Sequence, residues 1–180
     1  SLTTRTSMRP SARHDHQTDR TMNPQQHSDV TLPELGTGTG LLLFGFRASV
    51  FGRAGCHCVQ SGFTSALGED ADEAVSDLLT FARLRRNEGT RKIGLSAPGH
   101  GRMTRDEVSL ACVFSAAQAW DQVALEAHLS WLIGGPVTPK LMRIVTKIAD
   151  TFAGHSLAFY APRSARCVPA GDTPAFRIVS

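Results

Sequence analysis

TRDEVSLACVFSAAQAW, residues 104–120, is the stretch on which the fold turns. Thr104 followed by Glu107 is a capping box, in which each residue can satisfy a backbone N–H of the other at a helix start. Beyond it, apolar residues occupy both faces, so the helix must be covered on all sides by neighbours. This predicts the centre of an all-α, or nearly all-α, compact bundle.

The flanking segments supply those neighbours. Asp121 can cap a helix with Leu125, Leu129 and Leu132 along one ridge, ended by Gly134, Gly135 and Pro136. Thr138 can cap the next, with Pro139 at its first position and Leu141, Val145, Ile148, Ala149 and Phe152 as the stripe; Gly154 closes it. Upstream, RKIGLSAPGHG (91–101) is broken by three glycines and a proline and reads as an extended connector, with a short strand at 93–96. Before it, Glu69, Asp70, Asp72 and Glu73 crowd one end of a helix and Arg83, Arg85 and Arg86 the other, complementing its dipole. LLLFGFRASVF (41–51) is apolar nearly all round and predicts a buried first helix loosened by Gly45. The sum is about five helices and one extended connector.

The ends differ in composition. Residues 1–35 are polar and predict a disordered tail, 36–155 the helical domain, and 156–180 an irregular C-terminal tail able to lay Phe159, Tyr160 or Phe176 on the domain. Met22 is a second plausible reading start, so the first 21 residues are expected to be upstream sequence.

Composition excludes some functions. The net charge of +3, from 19 basic and 16 acidic residues, gives no strong polyanion field, so nucleic acid is permitted and not implied. The apolar run 41–51 is far shorter than the roughly 20 residues of a membrane span and contains Arg47. Four cysteines at uneven spacings, without a secretory signal, predict reduced thiols and a cytoplasmic protein.

Several residues invite a chemical reading. Cys56, Cys58, His100 and Cys112 are the ligand types zinc prefers, and a structural site needs four. Against this, the local spacing is C-x-C and no second cysteine pair follows, so Cys112 reads more simply as core and Cys56 and Cys58 as turn thiols. The same pair, with Arg53 nearby to favour a thiolate, is the alternative basis for a thiol-redox role.

GTGTG (36–40) resembles a phosphate loop only in composition: no convincing strand precedes it and the Walker lysine is absent, so a flexible hinge is expected. GLSAP (94–98) lacks the final glycine of a nucleophile elbow. Lys140, Arg143 and Lys147 make a basic row on the last helix, a solvated face or a weak nucleic-acid contact. His128 and Trp131, one turn apart, suit core packing or a pocket wall.

No catalytic residue and no cofactor is assigned. The clear signals are amphipathic helices, not convergent polar groups, which favours a non-enzymatic protein-binding or regulatory module acting on a protein partner or a second copy of itself. The alternatives are a small zinc-binding or thiol-redox protein using Cys56, Cys58 and His100, and a weak nucleic-acid-binding protein.

Overall fold

A computed structural model describes residues 27–162. The Thr104 hydroxyl accepts the Glu107 N–H (3.1 Å) and the Glu107 carboxylate accepts the Thr104 N–H (2.8 Å), starting α4, Arg105–Gln118. Every residue from Glu107 to Phe114 is buried, as the two-sided apolar pattern requires. Around α4 lie α5 (Gln122–Ile133) and α6 (Pro139–Gly154), each started by a side-chain cap, Asp121 to Ala124 N–H (2.9 Å) and Thr138 to Leu141 N–H (3.3 Å). Gly134 takes the left-handed conformation, at φ 74°, that ends α5.

The remaining layer is α1 (Gly36–Val50), α2 (His57–Leu67) and α3 (Ala71–Glu88), with α3 packed against both α1 and α6. Single 3₁₀ turns at Leu32–Leu35 and Gly68–Asp70 lead into α1 and α3. A two-stranded antiparallel sheet pairs β1 (His27–Thr31) with β2 (Arg102–Thr104), Thr31 opposite Arg102 and His27 opposite Thr104, with a register shift between.

Phenylalanines tie these helices together. Phe46 of α1 meets Phe81 of α3 (centroids 5.5 Å), Phe81 meets Phe114 of α4 edge-on (5.4 Å), and Phe114 meets Phe159 (5.7 Å). Phe159 in turn packs on Phe152 of α6 (4.9 Å), which meets Phe63 of α2 (6.3 Å). Each such burial contributes about 1.5–3 kcal/mol, and the edge-on contacts add to that. α1 can approach α2 and α3 because position 45 is glycine: a Cβ there would collide with the Phe63 ring and lie 2.8 Å from Leu78 Cδ1.

The mostly α bundle agrees with the sequence pattern, and four details correct it. α2 is a helix beyond the five expected; Val59, Phe63 and Leu67 recur every four residues and are all buried, a stripe obscured by the serine-, glycine- and threonine-rich residues between them. The strand expected at 93–96 forms at Arg102–Thr104 instead, where Met103 is buried and β1 is at hand. β1 itself lies within the expected tail, anchored because Val30 and Leu32 pack against the core and Leu35 is buried.

The fourth concerns GTGTG, which is the first turn of α1 rather than a hinge. The Thr39 hydroxyl accepts the Tyr160 N–H (2.8 Å), and the 157–160 backbone passes so close that a Cβ on Gly38 would collide with the Ala158 carbonyl. The C-terminal segment thus docks through Phe159, as the sequence allows, and its backbone N–H is held by Gln118 Oε1 (2.7 Å). Residues 1–26, expected to be disordered, and Phe176 lie outside the described residues.

Candidate functional site

Two consecutive acids in the first turn of α4 organise the connector. Glu107 is wholly buried and pairs with the equally buried Arg47 of α1, through Nε (2.6 Å) and Nη2 (2.9 Å). It also accepts the N–H groups of Ser96 (3.1 Å) and Thr104 (2.8 Å), so four donors converge on one carboxylate. Arg47 also donates to the carbonyls of His100 (2.6 Å) and Arg102 (3.0 Å), so each of its three nitrogens has a partner. An ion pair removed from water survives only when its other donors and acceptors are satisfied, and these are.

Asp106 holds the other end. It accepts from Arg91 Nη2 (2.6 Å) and from the Gly94 N–H (2.7 Å), while the Arg91 guanidinium lies 3.8 Å over the Trp131 ring. Thr104 Oγ1 donates to the Gly94 carbonyl (2.7 Å) and Ser96 Oγ to the Arg102 carbonyl (3.0 Å). The irregular segment ahead of β2 is therefore fixed at Arg91, Gly94, Ser96 and His100, and again at Arg102 where β2 begins.

Held in this way, the connector forms one wall of a groove of about 430 Å³. Its apolar surface comes from Val50 of α1 and from Ile93 and Leu95 of the connector, with the buried Phe46 beneath. Its opposite wall is the last turns of α3, carrying Arg83, Arg85 and Arg86. Burial, the largest influence, lowers the Arg85 pKa from the usual arginine value; Asp106 opposes that shift and Arg91 reinforces it. Arg85 donates through Nη2 to the Arg91 carbonyl, and its buried Nε has no hydrogen-bond partner among the described residues. Val50, which lines the groove, and its chain neighbour Phe51 are each 49% exposed, an apolar lip at the end of α1.

Other surface features differ in kind. A depression of about 420 Å³ along α2 is lined by polar side chains, among them His57, Gln60 and Thr64. Trp120 and Val123 stand exposed at the α4–α5 turn, where Trp120 has a φ of 56°.

The residues singled out from sequence are dispersed. Cys56 caps the start of α2, His100 is exposed on the connector, and Cys112 is buried in α4. Among the described residues no three His, Cys, Asp or Glu side chains are placed to hold a metal ion. Among the described residues the expected reduced thiols are not found: Cys56 and Cys58 are paired as a disulfide, their Cα atoms 5.4 Å apart, and Cys112 is also disulfide-bonded. The extended backbone at Cys56 turns the chain into α2 so that the two side chains meet, a Cα spacing within the normal disulfide range.

Of the basic row, Lys147 is drawn to Glu73 (2.6 Å) and Asp77 (2.9 Å) of α3, leaving Lys140 and Arg143 on the exposed face. Trp131 serves as the platform for Arg91. The groove itself was missed because Val50 and Phe51 read as core and the three arginines as dipole partners. The available signal was Arg47, a charge in an apolar run that demands a buried carboxylate and therefore a second segment folded over it.

No helix among the described residues is long and apolar enough to cross a membrane. No protein-family model, curated protein or solved structure matches the chain.

Proposed function

We propose that the chain is a non-enzymatic protein-binding module and that the groove between α1, α3 and the connector receives a segment of its partner. The observation carrying this reading is the apolar lip: Val50 on the groove and its neighbour Phe51 remain half exposed at a concave surface whose connector wall is already fixed by the buried Arg47–Glu107 pair. Exposed apolar side chains grouped at a concavity mark interaction sites more often than isolated ones do. A preformed wall also lowers the ordering cost of binding. The expected compartment is the cytoplasm, where thiol pools keep accessible cysteines such as Cys58 reduced.

Selection of a phage-displayed library of short random peptides tests the reading. Wild-type protein should enrich a family of related apolar-containing sequences. The Val50→Ser, Phe51→Ser double variant, which alters half-exposed positions and should keep its thermal midpoint, should enrich none of that family. Equal enrichment by both proteins overturns the assignment.

A further inference from the structure

We propose that the segment accepted by the groove is acidic, with apolar anchors that rest on Val50, Ile93 and Leu95 and flanking Asp or Glu side chains that meet Arg83, Arg85 and Arg86. This rests on the docking reading of the same groove and names the chemistry of its partner.

Charge is the first argument. Among the described residues, three guanidinium groups line the groove and no carboxylate does. The carboxylate that offsets Arg85 is Asp106, which is already engaged by Arg91 at 2.6 Å and the Gly94 N–H at 2.7 Å. Two cations therefore share one anion beside a low-dielectric wall, and the surplus positive charge is directed to whatever enters. An apolar segment without acids would cover this wall and leave its charge unanswered; a basic one would be repelled.

The chain's own segments do not fit. Residues 1–26 carry four arginines (Arg5, Arg9, Arg13, Arg20) against two aspartates (Asp15, Asp19), and residues 163–180 carry three (Arg163, Arg166, Arg177) against Asp172. Both stretches have the same sign as the groove. The acidic start of α3 is partly committed within the fold, Asp70 to His155 (2.8 Å) and Glu73 to Lys147 (2.6 Å), which disfavours a second copy as the occupant. What remains is an acidic, apolar segment of another protein.

The sequences enriched by the wild-type protein decide the matter. They should place Asp or Glu within a few residues of their apolar anchors. A synthetic peptide of the best clone should bind about tenfold more tightly than its Asp→Asn, Glu→Gln isostere at low salt, and that ratio should shrink as the Debye length falls. In the Arg83→Glu, Arg86→Glu variant the ratio should vanish while affinity for the isostere holds.

Enriched clones without acids, or equal affinity for peptide and isostere, overturn the acidic partner and leave the docking reading standing. Failure of the wild-type protein to enrich anything beyond the Val50→Ser, Phe51→Ser variant ends both. Concentration-dependent dimerisation in sedimentation, abolished by the arginine reversals, overturns the external partner in favour of a second copy.

Discussion

At the scale of single residues, the account depends on a buried arginine. Arg47 and Glu107 lie 60 positions apart in sequence, are both wholly inaccessible, and together hold Ser96, His100 and Arg102 by their backbone. Arg47→Met would leave Glu107 in the core with only backbone donors. Removing one member of such a pair typically costs about 3–5 kcal/mol, and urea denaturation should show a loss of that size. A loss below about 1 kcal/mol would mean that the pair is not isolated from water as described. Half of this arrangement was legible beforehand: Thr104 and Glu107 sit three apart, the spacing of a capping box. The other half was not, because the capping box satisfies local donors and gives no sign that the same carboxylate also serves a distant cation.

At the scale of elements, caps and stripes translated well and contacts between helices did not. Thr104, Asp121 and Thr138 begin α4, α5 and α6 because a side-chain oxygen three residues from an orphan N–H is a local relation that sequence spacing records. α2 escaped notice because its stripe of Val59, Phe63 and Leu67 runs through weak helix formers, and packing against α3 outweighs that propensity. Lys147 shows the same limit. On α6 it belongs to a basic row, yet α3 brings Glu73 and Asp77 to it. The hydrogen bonds that it donates, to Glu73 first and Asp77 second, raise its pKa above the ordinary 10.5. A raised lysine pKa adds stability that is fully present below the ordinary value and is lost as pH rises through the folded one. The stability difference between wild type and Lys147→Met should therefore be constant near neutrality and shrink above about pH 10.5. The effect should be small, since the side chain is 48% exposed. A difference that instead grows in alkali would contradict the α3–α6 contact.

At the scale of the whole molecule, the bundle uses its core to make an irregular segment rigid. Phenylalanines bind α1, α2, α3, α4 and α6 together, and the acids at the start of α4 fasten the connector across them. One face of that assembly then carries an apolar lip and a wall of three arginines. Docking of a partner on this face, as proposed, is tested most directly by amide chemical-shift mapping of the full chain titrated with an enriched acidic peptide. The account predicts perturbations confined to the end of α1 around Val50 and Phe51, the end of α3 around Arg83–Arg86, and Ile93–Leu95. Perturbations centred instead on Trp120 and Val123, or along the polar face of α2 at Gln60 and Thr64, would contradict it.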